Sequence, residues 1–237
     1  LTEKLTTIGF DADDTLWQNE QFFQMTQERF VALLADYAER EHLSERLLAA
    51  ERRNLGRYGF GIKGFVLSMI ETAVEVTDEQ VPAGVIRQIV EAGHEMLNHP
   101  IELLPHVQDV ITALAPGFTL VLITKGDLLD QERKLAQSGL GEMFDAVEIV
   151  SDKTPATYAQ AFARHGTGAG EAMMVGNSLK SDVIPAIDSG AWGVYVPHDL
   201  TWVIKHATPP ATAERYRALD NLGVLPQLIE ALTEKPG

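Results

Sequence analysis

Five short apolar runs, at residues 5–10, 118–123, 146–150, 172–175 and 192–196, constrain the fold more than any other feature of this sequence. Each is too short for a buried helix, is rich in aliphatic or β-branched residues, and lacks strict alternation. Strands covered on both faces of a parallel sheet read this way. Helical patterning fills the gaps between the later runs, at 127–138, 155–165 and 179–188. Strand–helix alternation of this kind predicts an α/β protein built on a doubly wound parallel sheet.

The first two runs break the rhythm, because the segment 11–117 between them is far longer than one crossover connection needs. Residues 18–100 read as nearly all helix. Phe23, Phe30, Leu34 and Tyr37 recur at helical spacing, and Thr77 with Gln80 forms a candidate capping box ahead of Val81, Val85, Ile89 and Val90. The expected organisation is an α/β core made of residues 1–17 and 101–237, with an all-helical cap domain, 18–100, inserted after the first strand.

Composition narrows the function. The 237 residues are 45% hydrophobic and 22% charged, an ordinary globular balance that supports a sizeable core. The net charge of −15 argues against a nucleic-acid face, which needs clustered Lys and Arg. A phosphate site on such a chain requires local positive charge from a metal or a lysine. With no cysteine, disulfides, thiolate metal sites and cysteine nucleophiles are excluded. No run approaches the roughly 18 apolar residues of a membrane span. Leu1-Thr2-Glu3-Lys4 lacks a secretory pattern, so a cytoplasmic protein is expected.

In open α/β sheets, ligands bind at the carboxyl ends of the strands. Asp11 and Asp13 follow the first run, Thr124 and Lys125 the second, Lys153 the third, and Asn177 with Asp182 the fourth. Taken singly, these are ordinary residues. Asp13 and Asp14 suit a turn, Lys153 a surface charge and Asn177 a tight turn. Their joint arrival at one sheet edge is what points to chemistry.

The stretches FDADDTL, ITKGD, SDKTPATY and VGNSLKSD resemble, in their usual order, the four motifs of the haloacid dehalogenase superfamily. The resemblance covers the whole chain, since the helical insertion looks like that family's cap. It implies a Rossmann-like core sheet, an aspartate nucleophile and, in most members, magnesium-dependent hydrolysis of a phosphate monoester. On this reading Asp11 is the nucleophile that becomes an aspartyl-phosphate, and Asp13 is the general acid/base. Mg2+ prefers oxygen ligands. Those implied are Asp11, an oxygen of Asp13 (its backbone carbonyl) and Asn177, with Asp182 acting behind them or through water. Thr124 and the backbone N–H groups of Lys125 and Gly126 would hold phosphoryl oxygens, and Lys153 would neutralise charge. Asn177 stands where the family most often has Asp, and Asp14 where it often has Gly. Asp14 is expected to point away from the phosphate.

Other signals weaken on inspection. Residues 59–64 spell a dinucleotide fingerprint, but they follow a charged helical stretch rather than a strand. They read better as a cap loop from which Lys63 and Arg57 could touch substrate. His94 and His99, five apart, lie roughly 140° apart around a helix and do not share a face. The expected substrate is a small phosphorylated metabolite, the expected state a monomer or homodimer. Competing readings are a dehalogenase, which lacks the second aspartate of the first motif and needs no magnesium; a phosphomutase with the same nucleophile; and a catalytically weak, phospho-binding family member.

Overall fold

The computed structural model describes residues 4–200, 207–210 and 212–233. In chain order the elements begin with strand β1 (Thr7–Phe10) and helices α1 (Glu20–Leu33), α2 (Arg40–Tyr58), α3 (Ile62–Val76), α4 (Ala83–Asn98) and α5 (Val107–Leu114). They continue with β2 (Thr119–Lys125), α6 (Leu128–Ser138), β3 (Ala146–Val150), α7 (Pro155–His165) and β4 (Ala172–Gly176). A π-helical segment, Leu179–Val183, leads into α8 (Ile184–Asp188), followed by β5 (Trp192–Tyr195), β6 (Tyr216–Ala218) and α9 (Leu225–Thr233).

The chain divides into two compact units, one comprising Leu1–Glu20, Ile101–Lys125 and Arg133–Gly237, the other Gln21–Pro100 and Gly126–Glu132. The second unit therefore includes a short stretch, Gly126–Glu132, that sequence reading assigns to the α/β core.

In the α/β unit the six strands form one parallel sheet in the order β3-β2-β1-β4-β5-β6. Alternate strand residues feed two separate cores. Ile8, Phe10, Leu120, Leu122, Met173 and Val175 pack with residues of α5 and α9, whereas Val121, Ile123 and Met174 pack with Tyr158 and Phe162 of α7. Apolar contacts on both faces explain why the strands read as unbroken hydrophobic runs. β6 was not legible in sequence. It is three residues, Tyr-Arg-Ala, at the sheet edge, and Arg217 lies over the Trp192 ring at 4.8 Å. The strand order reverses at β1. Connections run from β1 outward through β2 to β3 on one side, while β4, β5 and β6 fill the other. The end of β1 is thus the switch point where α/β sheets leave a crevice.

The second unit is built on α1–α4 around its own core of Phe30, Leu34, Leu43, Leu47, Phe65, Met69 and Ile89. The expected capping box at Thr77 and Gln80 does not form. The Thr77 hydroxyl donates back to the Ala73 carbonyl at 2.8 Å and so closes α3. Asp78 and Glu79 then turn with positive φ, and α4 starts only at Ala83. The same Thr that could cap a start also satisfies a helix end, and local turn geometry decides between them.

Candidate active site

β1 delivers Asp11 at the switch point, its backbone N–H bonded to the Val175 carbonyl of the neighbouring strand at 2.9 Å. The Asp11 side chain is almost wholly buried, as are Lys153 and Asp182. Lys153 sits just beyond β3, and its ammonium donates to Asp11 Oδ1 and, at 2.7 Å, to Asp182 Oδ1. Two carboxylates and one ammonium removed from water are tolerable only because they pair in this way. Burial alone would push the Lys153 pKa down, but the Asp11 and Asp182 charges outweigh it, so the net shift is upward.

The remaining contacts fix the two carboxylates. Thr15 Oγ1 donates to Asp11 Oδ2 at 3.2 Å and accepts from the Asn177 backbone N–H at 3.1 Å, tying the end of β1 to the end of β4. Asp182 Oδ2 accepts from the Ser178 N–H at 2.9 Å. Gly176 makes this approach possible. A Cβ there would lie 2.5 Å from the Asp182 carboxyl group, so any larger residue would push it aside. Tyr158 closes the floor, donating to the Ser181 carbonyl at 2.9 Å. Its pKa is raised well above the ordinary value by burial and then by the nearby Asp182, Asp11 and Asp152 charges, so it stays a neutral donor.

Thr124 is buried at the carboxyl end of β2, and Lys125 is the last residue of that strand. The Lys125 ammonium reaches Ser181 Oγ at 3.1 Å and Asp152 at 3.5 Å, and burial lowers its pKa. Asp11, Lys153 and Asp182 are thus in direct contact, Asn177 joins them through Thr15, and Lys125 joins through Ser181. Gly126 and Lys63 fall in the other compact unit. There the Lys63 ammonium pairs with Asp127 at 2.9 Å, and Gly126 has φ of 152°.

Asp13 and Asp14 part company. The Asp13 carboxylate accepts from Trp17 Nε1 at 2.8 Å and from Lys134 Nζ at 3.0 and 3.2 Å. Asp14 is buried with φ of 65°, and its Oδ1 accepts from the Asn19 and Glu20 N–H groups at 2.9 and 2.8 Å. It therefore terminates the loop after β1. Asp14→Ala is expected to destabilise the fold by about 1–3 kcal/mol, because two backbone donors lose a charged acceptor. A shifted urea midpoint is the readout; an unchanged one would show that water replaces the carboxylate.

Several of these residues escaped the sequence reading. Thr15 belongs to the first motif and could have been found from its i,i+4 relation to Asp11. Lys134, in the middle of α6, carries no signal of its own.

Asn177 bears on metal binding. Its side-chain Oδ1 and Nδ2 are both buried with no hydrogen-bond partner in the protein. Buried amides are rarely left this way unless something else binds there. Among the described residues no cluster of three or more His, Cys, Asp or Glu forms a cation site. The oxygen donors at hand are instead mixed, the buried Asp11 carboxylate and the orphaned Asn177 amide oxygen. An all-oxygen set with an orphaned amide fits a hard divalent cation such as Mg2+.

A parallel sheet with a buried Asp–Lys–Asp triad at its switch point places the site where α/β sheets bind ligands, and comparison with known proteins gives the class. The sequence matches the haloacid dehalogenase-like hydrolase family over residues 5–190. A haloacid dehalogenase-like family hydrolase from Xanthomonas campestris is 40% identical and superposes with a TM-score of 0.87, covering 97% of this chain and 92% of that one. Two more distant structures share the fold. One is YfnB from Bacillus subtilis, assigned as a HAD-hydrolase and bound to magnesium (16% identity, TM-score 0.64, 98% and 100% covered). The other is the L-2-haloacid dehalogenase of Xanthobacter autotrophicus with chloropropionic acid covalently bound (19%, 0.63, 95% and 98%). No curated protein matches by sequence. The chain belongs to the haloacid dehalogenase-like hydrolase family. No helix among its described residues is long and apolar enough to cross a membrane.

Proposed function

We propose that this hydrolase cleaves a small phosphate monoester through a covalent intermediate on Asp11. The observation that carries the reading is Asp13, a second carboxylate two residues beyond the nucleophile. Attack by Asp11 on phosphorus breaks the ester P–O bond, and the departing alkoxide takes a proton from the Asp13 carboxylic acid. Water then attacks the aspartyl-phosphate, giving its proton to the Asp13 carboxylate. The Asp11–phosphorus bond breaks, and inorganic phosphate and the free carboxylate are restored. Displacing a halide needs no proton on the leaving group, so a dehalogenase has no use for Asp13.

The other residues position and neutralise. Lys153 holds Asp11 in one orientation and offsets charge as the phosphoryl group arrives. The Thr124 hydroxyl and the Lys125 N–H would supply donors for phosphoryl oxygens. Asp182 keeps Lys153 in place. Asp11, the Asp13 carbonyl and Asn177 would hold Mg2+, with Asp182 behind them. When bound, the cation would reduce repulsion between the Asp11 carboxylate and the substrate dianion.

The test is p-nitrophenyl phosphate hydrolysis with Mg2+ and with EDTA, beside chloride release from 2-chloropropionate. Turnover is expected only with phosphate ester and Mg2+. Chloride release that persists in EDTA would make the protein a dehalogenase instead.

A further inference from the structure

We propose that Lys134 is the positioning residue for Asp13, the group that fixes its carboxylate for proton transfer; this rests on the acid/base reading of Asp13 given above. Lys134 lies on α6, only 6% exposed, and its ammonium bonds both Asp13 oxygens and, at 2.8 Å, Asn19 Oδ1. A buried ammonium is costly unless it is paired, so its place is set by these acceptors. The other half of the clamp is Trp17 Nε1 on Asp13 Oδ1. Trp17 is wholly buried, its carbonyl accepts from the Asp14 N–H at 2.8 Å, and its backbone bridges to both Asp13 and Leu103. Both donors are therefore anchored, one by a helix and one by the loop itself.

The chemistry gives the clamp its purpose. A single carboxyl group must first protonate the leaving oxygen and then deprotonate water at nearly the same place. Free rotation of the Asp13 side chain would spoil both steps. Two donors on one oxygen and one on the other restrict that rotation, a pre-organisation that acts on proton transfer and not on the nucleophile.

Four proteins measured on two esters test this: wild type, Asp13→Asn, Lys134→Met and the double variant, each with p-nitrophenyl phosphate and phenyl phosphate. Nitrophenolate departs with little help, whereas phenolate needs its proton. Lys134→Met is expected to lose about 30-fold or more in kcat on phenyl phosphate and about 3-fold on the nitrophenyl ester, within the range general acids supply. The double variant should be no slower than Asp13→Asn alone, since Lys134 acts only through that residue. Equal losses on both esters, or additive losses in the double variant, would overturn the proposal. Discrimination by Asp13→Asn but not by Lys134→Met would remove Lys134 alone. No discrimination by Asp13→Asn would remove the acid role itself, and the Lys134 proposal with it. Trp17→Phe keeps the packing and deletes the second donor. It should show the same leaving-group signature at smaller size, and its absence would count against the clamp even if Lys134→Met did not fold.

Discussion

Asp11→Asn protein is expected to fold and to have lost p-nitrophenyl phosphate turnover by roughly 10^4-fold or more, the scale seen when a covalent nucleophile is removed. The substitution is nearly isosteric. It retains an oxygen for the Thr15 hydroxyl and leaves Lys153 its second partner, Asp182. On the proposed mechanism, what disappears is the anionic oxygen that would attack phosphorus. The loss should therefore be in kcat, and no phosphate label should remain on the denatured protein after rapid quenching. Wild type treated the same way should carry the label. Turnover in the variant within tenfold of wild type would place the nucleophile elsewhere.

Lys153→Met should produce the largest change in stability as well as a near-complete loss of turnover. The Asp11 and Asp182 carboxylates would remain buried without the ammonium that both contact. Breaking a buried pair on one side typically costs about 3–5 kcal/mol. A urea melt at neutral pH measures this. An unchanged midpoint would mean that the carboxylates relax into water or take up a proton without strain. The sign of the pH dependence follows from the upward shift of the Lys153 pKa. Its stabilising contribution is complete below the unfolded lysine value of about 10.4 and fades only as pH rises through the higher folded value. Wild type and variant should thus differ by a constant amount around neutrality and converge only in strong alkali.

The sequence made the strand ends legible because chemistry and hydrophobic pattern coincide there. Each apolar run stops where the sheet stops, and the polar residue that follows has one place to go. Asp11 and Lys153 meet beyond their strands as that rule requires, whereas Asp182 reaches Lys153 from the π-helical segment after β4. Lys134 was invisible for the opposite reason. It is a charged residue in an amphipathic helix, where a charge is normally solvated, and only the tertiary structure buries it against Asp13. In the same helix Leu128 and Leu129 are exposed, so the usual inference from residue type to burial fails there. β6, an edge strand of three residues, has neither the length nor the apolar content to show in sequence. Thr77 closes α3 instead of opening α4, since a hydroxyl serves a helix start and a helix end equally well.

Beside the sheet, the chain leaving β1 and the chain returning to it run antiparallel. Gln18 N–H bonds the Glu102 carbonyl, Leu104 N–H bonds the Leu16 carbonyl, and Trp17 bridges Leu103. The four helices α1–α4 thus hang from a two-stranded stem whose ends are already held together, so lengthening or shortening the insertion changes the closure entropy only weakly. To the core, the insertion is one long hairpin loop. A lineage carrying this stem could exchange everything beyond it while the Asp–Lys–Asp triad stayed in place.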